Sequence, residues 1–157
     1  MRRVERAVRC LIVLVPLWLW GSAGVAVAEG GRPAPAVHIL TSDDQMYRLA
    51  AEGGYERVVQ VFPWRDIEPT AGEWHWQQPD FAIQAASYYG LELVVRLDHP
   101  PNWALRPGAH EGISPIDLDA YATYVATVAQ RYRGRVQAYI IWDEPNLSLE
   151  WAGRPPD

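Results

Sequence analysis

Residues 136–146 read VQAYIIWDEPN and join a strand-like run to two carboxylates, a proline and an asparagine. The first seven of these residues have the β-branched and aromatic composition of a buried strand. Three earlier stretches share this character: Ala36–Thr41, Arg57–Trp64 (RVVQVFPW) and Glu92–Asp98 (ELVVRLD). Because strands buried on both faces are almost continuously apolar, the four runs predict a parallel sheet that is covered by helices.

Amphipathic segments separate the four predicted strands and indicate helices. We predict these helices over Asp44–Glu52, Pro79–Tyr89 and Asp117–Tyr132, and a glycine follows each of them closely. In the third helix one apolar face is formed by Leu118, Tyr121, Tyr124, Val125, Val128 and Ala129. The alternation predicts an α/β fold, which is either a doubly wound open sheet or a (β/α)8 barrel. Periodicity does not distinguish between the two.

Polar, aromatic and proline residues directly follow the second, third and fourth predicted strands. They are Trp64-Arg65-Asp66, Asp98-His99-Pro100-Pro101-Asn102-Trp103 and Asp143-Glu144-Pro145-Asn146. Such positions are βα loops, where barrel enzymes carry their active sites, and open α/β sheets also bind ligands at the carboxyl ends of strands. No glycine-rich fingerprint follows the first strand, which disfavours a dinucleotide-binding fold.

The first 28 residues have the pattern of a secretory signal peptide. Four arginines precede an apolar run over Leu11–Trp20, and Ala26-Val27-Ala28 forms a small-residue cleavage site before Glu29. We therefore expect a signal peptide over 1–28, a linker over 29–35 and the N-terminal half of a barrel over 36–157, in a secreted protein. The alternative is an uncleaved anchor over the nearly charge-free residues 11–28, although a membrane span takes ~20 apolar residues and Gly21, Ser22 and Gly24 weaken the second half of this stretch.

Charge and composition exclude several classes of function. The formal net charge of the chain is −5, and without the basic first 28 residues it is more negative still, which argues against a nucleic-acid partner. The chain contains no lysine, which excludes Schiff-base chemistry on lysine and a Walker-type phosphate loop. Its four histidines lack metal-ligand spacing, so we predict no metal and no cofactor.

Asp143 and Glu144 stand where a predicted buried strand meets solvent. A carboxyl group between an apolar wall and a pocket is poorly solvated in its charged form, which suits a general acid. The alternative is that Asp143 or Asn146 caps a following helix. The six tryptophans after residue 28 have two similar interpretations, since indole rings either pack in a core or stack on the apolar face of a sugar.

Three segments resemble clan A glycoside hydrolases. Trp142-Asp143-Glu144-Pro145 resembles the Trp-Asn-Glu-Pro motif at the end of their fourth strand. Phe62–Gly72 (FPWRDIEPTAG) and Leu91–Trp103 (LELVVRLDHPPNW) are similar to segments near strands 2 and 3 of family 39, 42 and 5 type members. The resemblance implies a (β/α)8 TIM barrel, truncated here to about the first four βα units.

The resemblance also implies roles for individual residues. Glu144 matches the acid/base of a retaining two-carboxylate mechanism. Asp143 takes the place of an asparagine that binds the sugar 2-hydroxyl, and it adds a like charge beside the acid/base. Further substrate contacts are expected from His99, Trp103, Asn102 and Trp64, although His99 is equally compatible with a loop-stabilising role. Glu68, in the Ile-Glu-Pro turn, is expected to be structural.

In clan A the nucleophile is a second glutamate at the end of strand 7, and no residue of this chain corresponds to it. From the resemblance we expect an exported glycoside hydrolase that acts on an oligosaccharide or polysaccharide. Because the nucleophile is missing, we expect the 157-residue chain to be inactive alone. One alternative is a non-catalytic carbohydrate-binding barrel relative, in which Asp143 marks lost chemistry. The other is an open-sheet binding protein of unrelated activity.

Overall fold

The computed structural model describes residues 34–107, 116–145 and 147. The predicted signal peptide over 1–28 and most of the predicted linker lie outside these residues. The described residues all belong to one compact unit, which lies within Arg32–Asp157. No helix within the described residues is both long and apolar enough to cross a membrane.

Four strands alternate with helices along the described chain. The strands are β1 (Ala36–Ile39), β2 (Arg57–Pro63), β3 (Glu92–Asp98) and β4 (Ala138–Ile141). The helices are α1 (Asp44–Glu52), α2 (Trp64–Ile67), α3 (Gln77–Tyr88) and α4 (Leu118–Arg131), with a 3-10 turn over Asn102–Ala104. The predicted alternation is confirmed, and α1 and β3 have the bounds that the sequence predicted.

The other bounds differ from the predictions for local reasons. β2 ends at Pro63 rather than Trp64, because Trp64 begins the short helix α2, which the sequence analysis did not predict. Asp117 is the N-cap of α4 rather than its first residue, and its side chain accepts hydrogen bonds from the backbone N–H groups of Asp119 and Ala120. Leu118, predicted on the apolar face of this helix, is 60% exposed at its first turn.

The sheet is parallel, and its strand order is β1-β2-β3-β4, the same as the order in the chain. Parallel crossovers are right-handed in nearly all proteins, so a sheet wound in one direction places all its helices on one face. A doubly wound sheet would instead reverse its order at a switch point and place helices on both faces. The observed order therefore matches the first βα units of a barrel and rules out the doubly wound alternative for these strands.

The two faces of the sheet differ in burial, as this winding requires. The helix-facing side chains are almost completely covered and include Val58, Phe62, Leu93, Val95 and Leu97. The opposite face carries Val59, Val61, Arg96 and Ile140, which are partly or largely exposed. In a (β/α)8 barrel this second face points at the barrel axis and ends at the catalytic rim.

Aromatic side chains of α4 attach this helix to the ends of β2 and β3. The Tyr124 hydroxyl donates a hydrogen bond of 2.6 Å to the backbone oxygen of Phe62, and the Tyr121 hydroxyl donates one of the same length to Leu97. Trp64 stacks on Tyr124 with ring centroids 5.3 Å apart. Burial raises the pKa of Tyr124 well above its ordinary value, so the hydroxyl remains a donor. These contacts fix the carboxyl ends of two strands.

Candidate active site at the carboxyl end of the sheet

Strained backbone marks the carboxyl ends of β3 and β4. Among the described residues, the non-glycine residues with positive φ are His99 (53°), Trp142 (65°) and Glu144 (38°). His99 and Trp142 come directly after β3 and β4, and Glu144 lies three residues beyond the end of β4. Left-handed backbone costs a residue with a side chain ~1–2 kcal/mol, and such strain is concentrated at functional sites. His99 and Glu144 are two of the residues that the sequence predicted for the site.

Asp143 lies in an ion-pair network that the sequence analysis did not predict. Arg96, on the axis-facing side of β3, donates a hydrogen bond of 2.6 Å from Nη1 to Oδ2 of Asp143. Its Nε lies 2.7 Å from Oδ2 of Asp98, but the N–H group is not aimed at that oxygen, so this contact is electrostatic. Asp98 also contacts His99 Nδ1 through its other oxygen. One guanidinium therefore joins the ends of both strands.

Glu144 is the exposed member of the carboxylate pair. Its backbone oxygen accepts a hydrogen bond of 2.8 Å from Leu147 N, which closes the turn after β4. Within the described ranges, no hydrogen bond or ion pair holds its side chain. Asp143 is anchored and Glu144 is open, so the neighbouring carboxylates have different surroundings. Asp143 is thus held in place and Glu144 is accessible to a ligand, whereas the poor solvation that the sequence predicted for this carboxyl is not found among the described residues.

The loops after β2 and β3 bring Trp103 and Glu68 together. Trp103 is 38% exposed, and its Nε1 donates a hydrogen bond of 3.0 Å to the backbone oxygen of Glu68. The Glu68 carboxylate is buried and accepts hydrogen bonds of 2.8 Å from Trp64 Nε1 and from Gly72 N. Glu68 thus has the structural role predicted for it. Trp103 keeps part of its ring accessible to a ligand.

Trp64 is not placed as a sugar-binding residue. Its side chain is completely buried, and it packs between Trp103, Tyr121 and Tyr124. The predicted substrate contact of Trp64 is therefore wrong, and the residue packs in the core beneath Trp103. The apolar pattern placed Trp64 at the end of a strand, whereas this residue begins helix α2 and its ring is buried.

An open cleft lies between the loops after β2 and β3. Asn102 and Trp103 line it together with Arg65, Pro69, Thr70, Pro100 and Pro101. A second cavity lies between the ends of β1 and β2 and the start of α3, and none of the predicted site residues lines it. Of the predicted site residues, Asn102 and Trp103 therefore line this cleft, whereas Glu144, Asp143, His99 and Trp64 do not. Among the described residues, no group of three or more His, Cys, Asp or Glu side chains is arranged to hold a metal ion.

Glycosidases are among the solved structures that align with this chain. A family 39 glycoside hydrolase from the gut symbiont Bacteroides cellulosilyticus WH2 aligns with a TM-score of 0.60 at 18% identity, covering 71% of this chain and 24% of that one. The β-glycosidase BGL167 aligns with a TM-score of 0.57 at 26% identity, covering 68% of this chain and 26% of that one. β-Glucosidase 1317 aligns with a TM-score of 0.58 at 23% identity, covering 67% and 27%.

A relative found by sequence comparison is also a glycosidase. Endo-1,4-β-xylanase 2 of Claviceps purpurea is 30% identical over 88 residues, which cover 55% of this chain and 26% of the xylanase. No protein-family model matches the chain. The chain spans about a quarter of the length of these proteins. It therefore has a glycosidase-related fold, which corresponds to the first βα units of the TIM-barrel glycosidases.

Proposed function

We propose that this chain supplies the acid/base half of the active site of an exported retaining glycoside hydrolase, with Glu144 as the acid/base. One observation carries the proposal: Glu144 extends, exposed and without a partner among the described residues, from strained backbone at the end of β4. In a barrel of this winding, that position lies on the rim where catalytic residues stand. The resemblance of the Trp-Asp-Glu-Pro segment and the glycosidase-related fold support the same role.

In the proposed mechanism Glu144 first protonates the leaving glycosidic oxygen. It then takes a proton from the water that releases the sugar from the enzyme. The nucleophile is a second carboxylate ~5–5.5 Å away, which the resemblance assigns to a seventh strand. Asp143 and the exposed ring of Trp103 are proposed to contact the sugar. The substrate is an oligosaccharide or polysaccharide, and the names of the relatives make β-linked glycosides the first candidates.

The test measures hydrolysis of β-linked aryl glycosides by the protein that the natural gene encodes. General acid catalysis contributes typically 10²–10⁴-fold, so Glu144→Gln is expected to lower kcat/KM by about that factor. The loss should be small for a dinitrophenyl leaving group, which departs without protonation. In Glu144→Ala, added azide should restore turnover, because azide attacks the glycosyl-enzyme without a general base.

Glu73→Gln is the matched control for these variants. Glu73 is an exposed glutamate in the loop after β2, where it pairs with His75, so its substitution should leave kcat/KM unchanged. Equal activity of Glu144→Gln and Glu73→Gln on substrates with poor leaving groups would exclude Glu144 as the acid/base.

A carbohydrate-binding protein without turnover is the second candidate. It is favoured by the one departure from the motif, the carboxylate of Asp143 at the position of an asparagine. In that case the wild-type protein would hydrolyse none of the glycosides, and sugar binding measured by calorimetry would be the same in Glu144→Gln.

Export through the first 28 residues is a separate proposal with its own test. Secretion of the tagged protein, followed by N-terminal sequencing, is expected to show a mature chain that begins at Glu29. Recovery of all the protein in the cell with Met1 or residue 2 at its N-terminus would contradict it.

A further inference from the structure

Arg96 is the charged residue that the glycosidase resemblance leaves without a role. It lies on the axis-facing side of β3, where its register partners are Val61 on β2 and Ile140 on β4. Its side chain is only 17% exposed. Burying a cation between aliphatic neighbours on both adjacent strands costs free energy unless the cation is paired. Arg96 therefore needs its carboxylate partners to be stable at this position.

Those partners are the carboxylates at the ends of two strands. Arg96 Nη1 donates to Asp143 Oδ2 at 2.6 Å, and Arg96 Nε lies 2.7 Å from Asp98 Oδ2. Asp98 is almost fully buried and Asp143 is about one-third exposed. The guanidinium is thus shared by two carboxylates, and it fixes one oxygen of Asp143 while the residue remains accessible from the rim.

We infer that Arg96 is a positioning residue that makes Asp143 usable in place of the asparagine of the motif. An asparagine amide presents one acceptor and one donor to a sugar and carries no charge. With Oδ2 bound to Arg96, Asp143 presents Oδ1 as an acceptor, and the arginine, which it shares with Asp98, compensates part of its charge beside Glu144. The site therefore selects a sugar whose 2-position donates a hydrogen bond, which is a free hydroxyl. This inference rests on the proposed function.

A double-mutant cycle on the protein that the natural gene encodes tests this assignment. The variants are Arg96→Met, Asp143→Asn and the double variant. Arg96→Met is expected to lower kcat/KM on the order of 30-fold, because it leaves Asp143 uncompensated. In the Asp143→Asn background the same change should cost about threefold or less. Any loss that acts through Asp98 is present in both backgrounds and cancels from the ratio, so the expected coupling is about tenfold.

Two further variants separate charge compensation from general damage. Arg96→Lys and Arg96→Met introduce side chains of similar length, but only lysine keeps the positive charge. Arg96→Lys should therefore recover most of the activity that is lost in Arg96→Met. Arg57→Met is the matched control, since Arg57 on β2 forms an ion pair with Glu92 on β3 at the amino-terminal ends of these strands, away from the candidate site. This control should leave kcat/KM within about twofold of the wild-type value.

The choice of substrate separates positioning from a structural role. With a 2-deoxy aryl glycoside, which has no hydroxyl for Asp143 to bind, the tenfold coupling should fall to about twofold. Equal losses from Arg96→Met in both backgrounds, or a coupling that persists on the 2-deoxy substrate, would overturn the inference. Failure of the proposed function has a different signature, because hydrolysis by the wild-type protein would then be absent or independent of Glu144.

Discussion

Glu68 offers the sharpest test of how the loop after β2 is built, because both oxygens of its carboxylate are used. Oε2 accepts from Trp64 Nε1 and Oε1 accepts from Gly72 N, each at 2.8 Å. The residue is only 6% exposed, so water does not replace a lost partner easily. Glu68→Gln keeps the shape of the side chain and removes one of the two acceptors.

The magnitude follows from the donors that surround the new amide. Whichever way it is turned, its NH2 group faces an N–H group that needs an acceptor. A hydrogen bond to a charged group contributes about 1.5–3 kcal/mol, and the smaller desolvation cost of a neutral amide offsets part of its loss. We expect the free energy of unfolding to fall by about 2 kcal/mol, which for a domain of this size lowers Tm by roughly 8 °C.

Urea unfolding followed by tryptophan fluorescence measures this loss at neutral pH. The matched control is Glu73→Gln in the same loop, whose side chain is 61% exposed and should change stability by less than about 0.5 kcal/mol. If the two variants unfold at the same urea concentration with the same slope, the two hydrogen bonds of Glu68 do not stabilise the loop, and the reasoning is wrong.

Two further predictions concern the helices that pack on the sheet. Tyr124→Phe removes the buried hydrogen bond to the backbone oxygen of Phe62 and should lower the free energy of unfolding in urea by about 1–2 kcal/mol. Tyr88→Phe, at an exposed position, should change it by almost nothing. Equal effects of the two substitutions would contradict the anchoring role of α4. Burial raises the pKa of Asp80, but hydrogen bonds from Arg131 and from the neighbouring tyrosine, with the arginine charge, outweigh it and hold this pKa below its ordinary value. The Asp80 carboxylate therefore stabilises the fold above its unfolded pKa of about 3.9, and this stabilisation is lost as the pH falls through the folded pKa. The Tm of Asp80→Asn should lie below that of the wild type at pH 7 and approach it near pH 3. A Tm difference that does not depend on pH would disprove this.

The composition of the elements made most of the fold predictable. β3 and α1 have the predicted bounds, because their apolar patterns end at polar residues and glycines. The strand order was not predictable from periodicity, since a doubly wound sheet and a barrel use the same kinds of strand and helix. The resemblance to clan A pointed to the barrel, and the observed strand order agrees with it.

The candidate site was predictable only in part. Asp143 and Glu144 could be predicted as site residues because two carboxylates interrupt an apolar pattern at the end of a strand. Arg96 carries as much charge, but it lies inside a strand whose neighbours are apolar, so the sequence gives no sign of the carboxylates it reaches. Trp64 shows the opposite error: its position after a strand suggested exposure, whereas this residue begins α2 and its ring is buried in the core.

The left-handed backbone at positions 142 and 144 has a consequence for how this sequence changes over generations. A single base substitution converts a tryptophan codon, or a glutamate codon, into a glycine codon. Ordinary mutation therefore keeps offering these two positions a residue that adopts positive φ without steric cost. Each such replacement would relieve ~1–2 kcal/mol of strain and remove an indole or a carboxylate. Drift towards glycine is opposed only while those side chains contribute more to fitness than the stability that glycine restores.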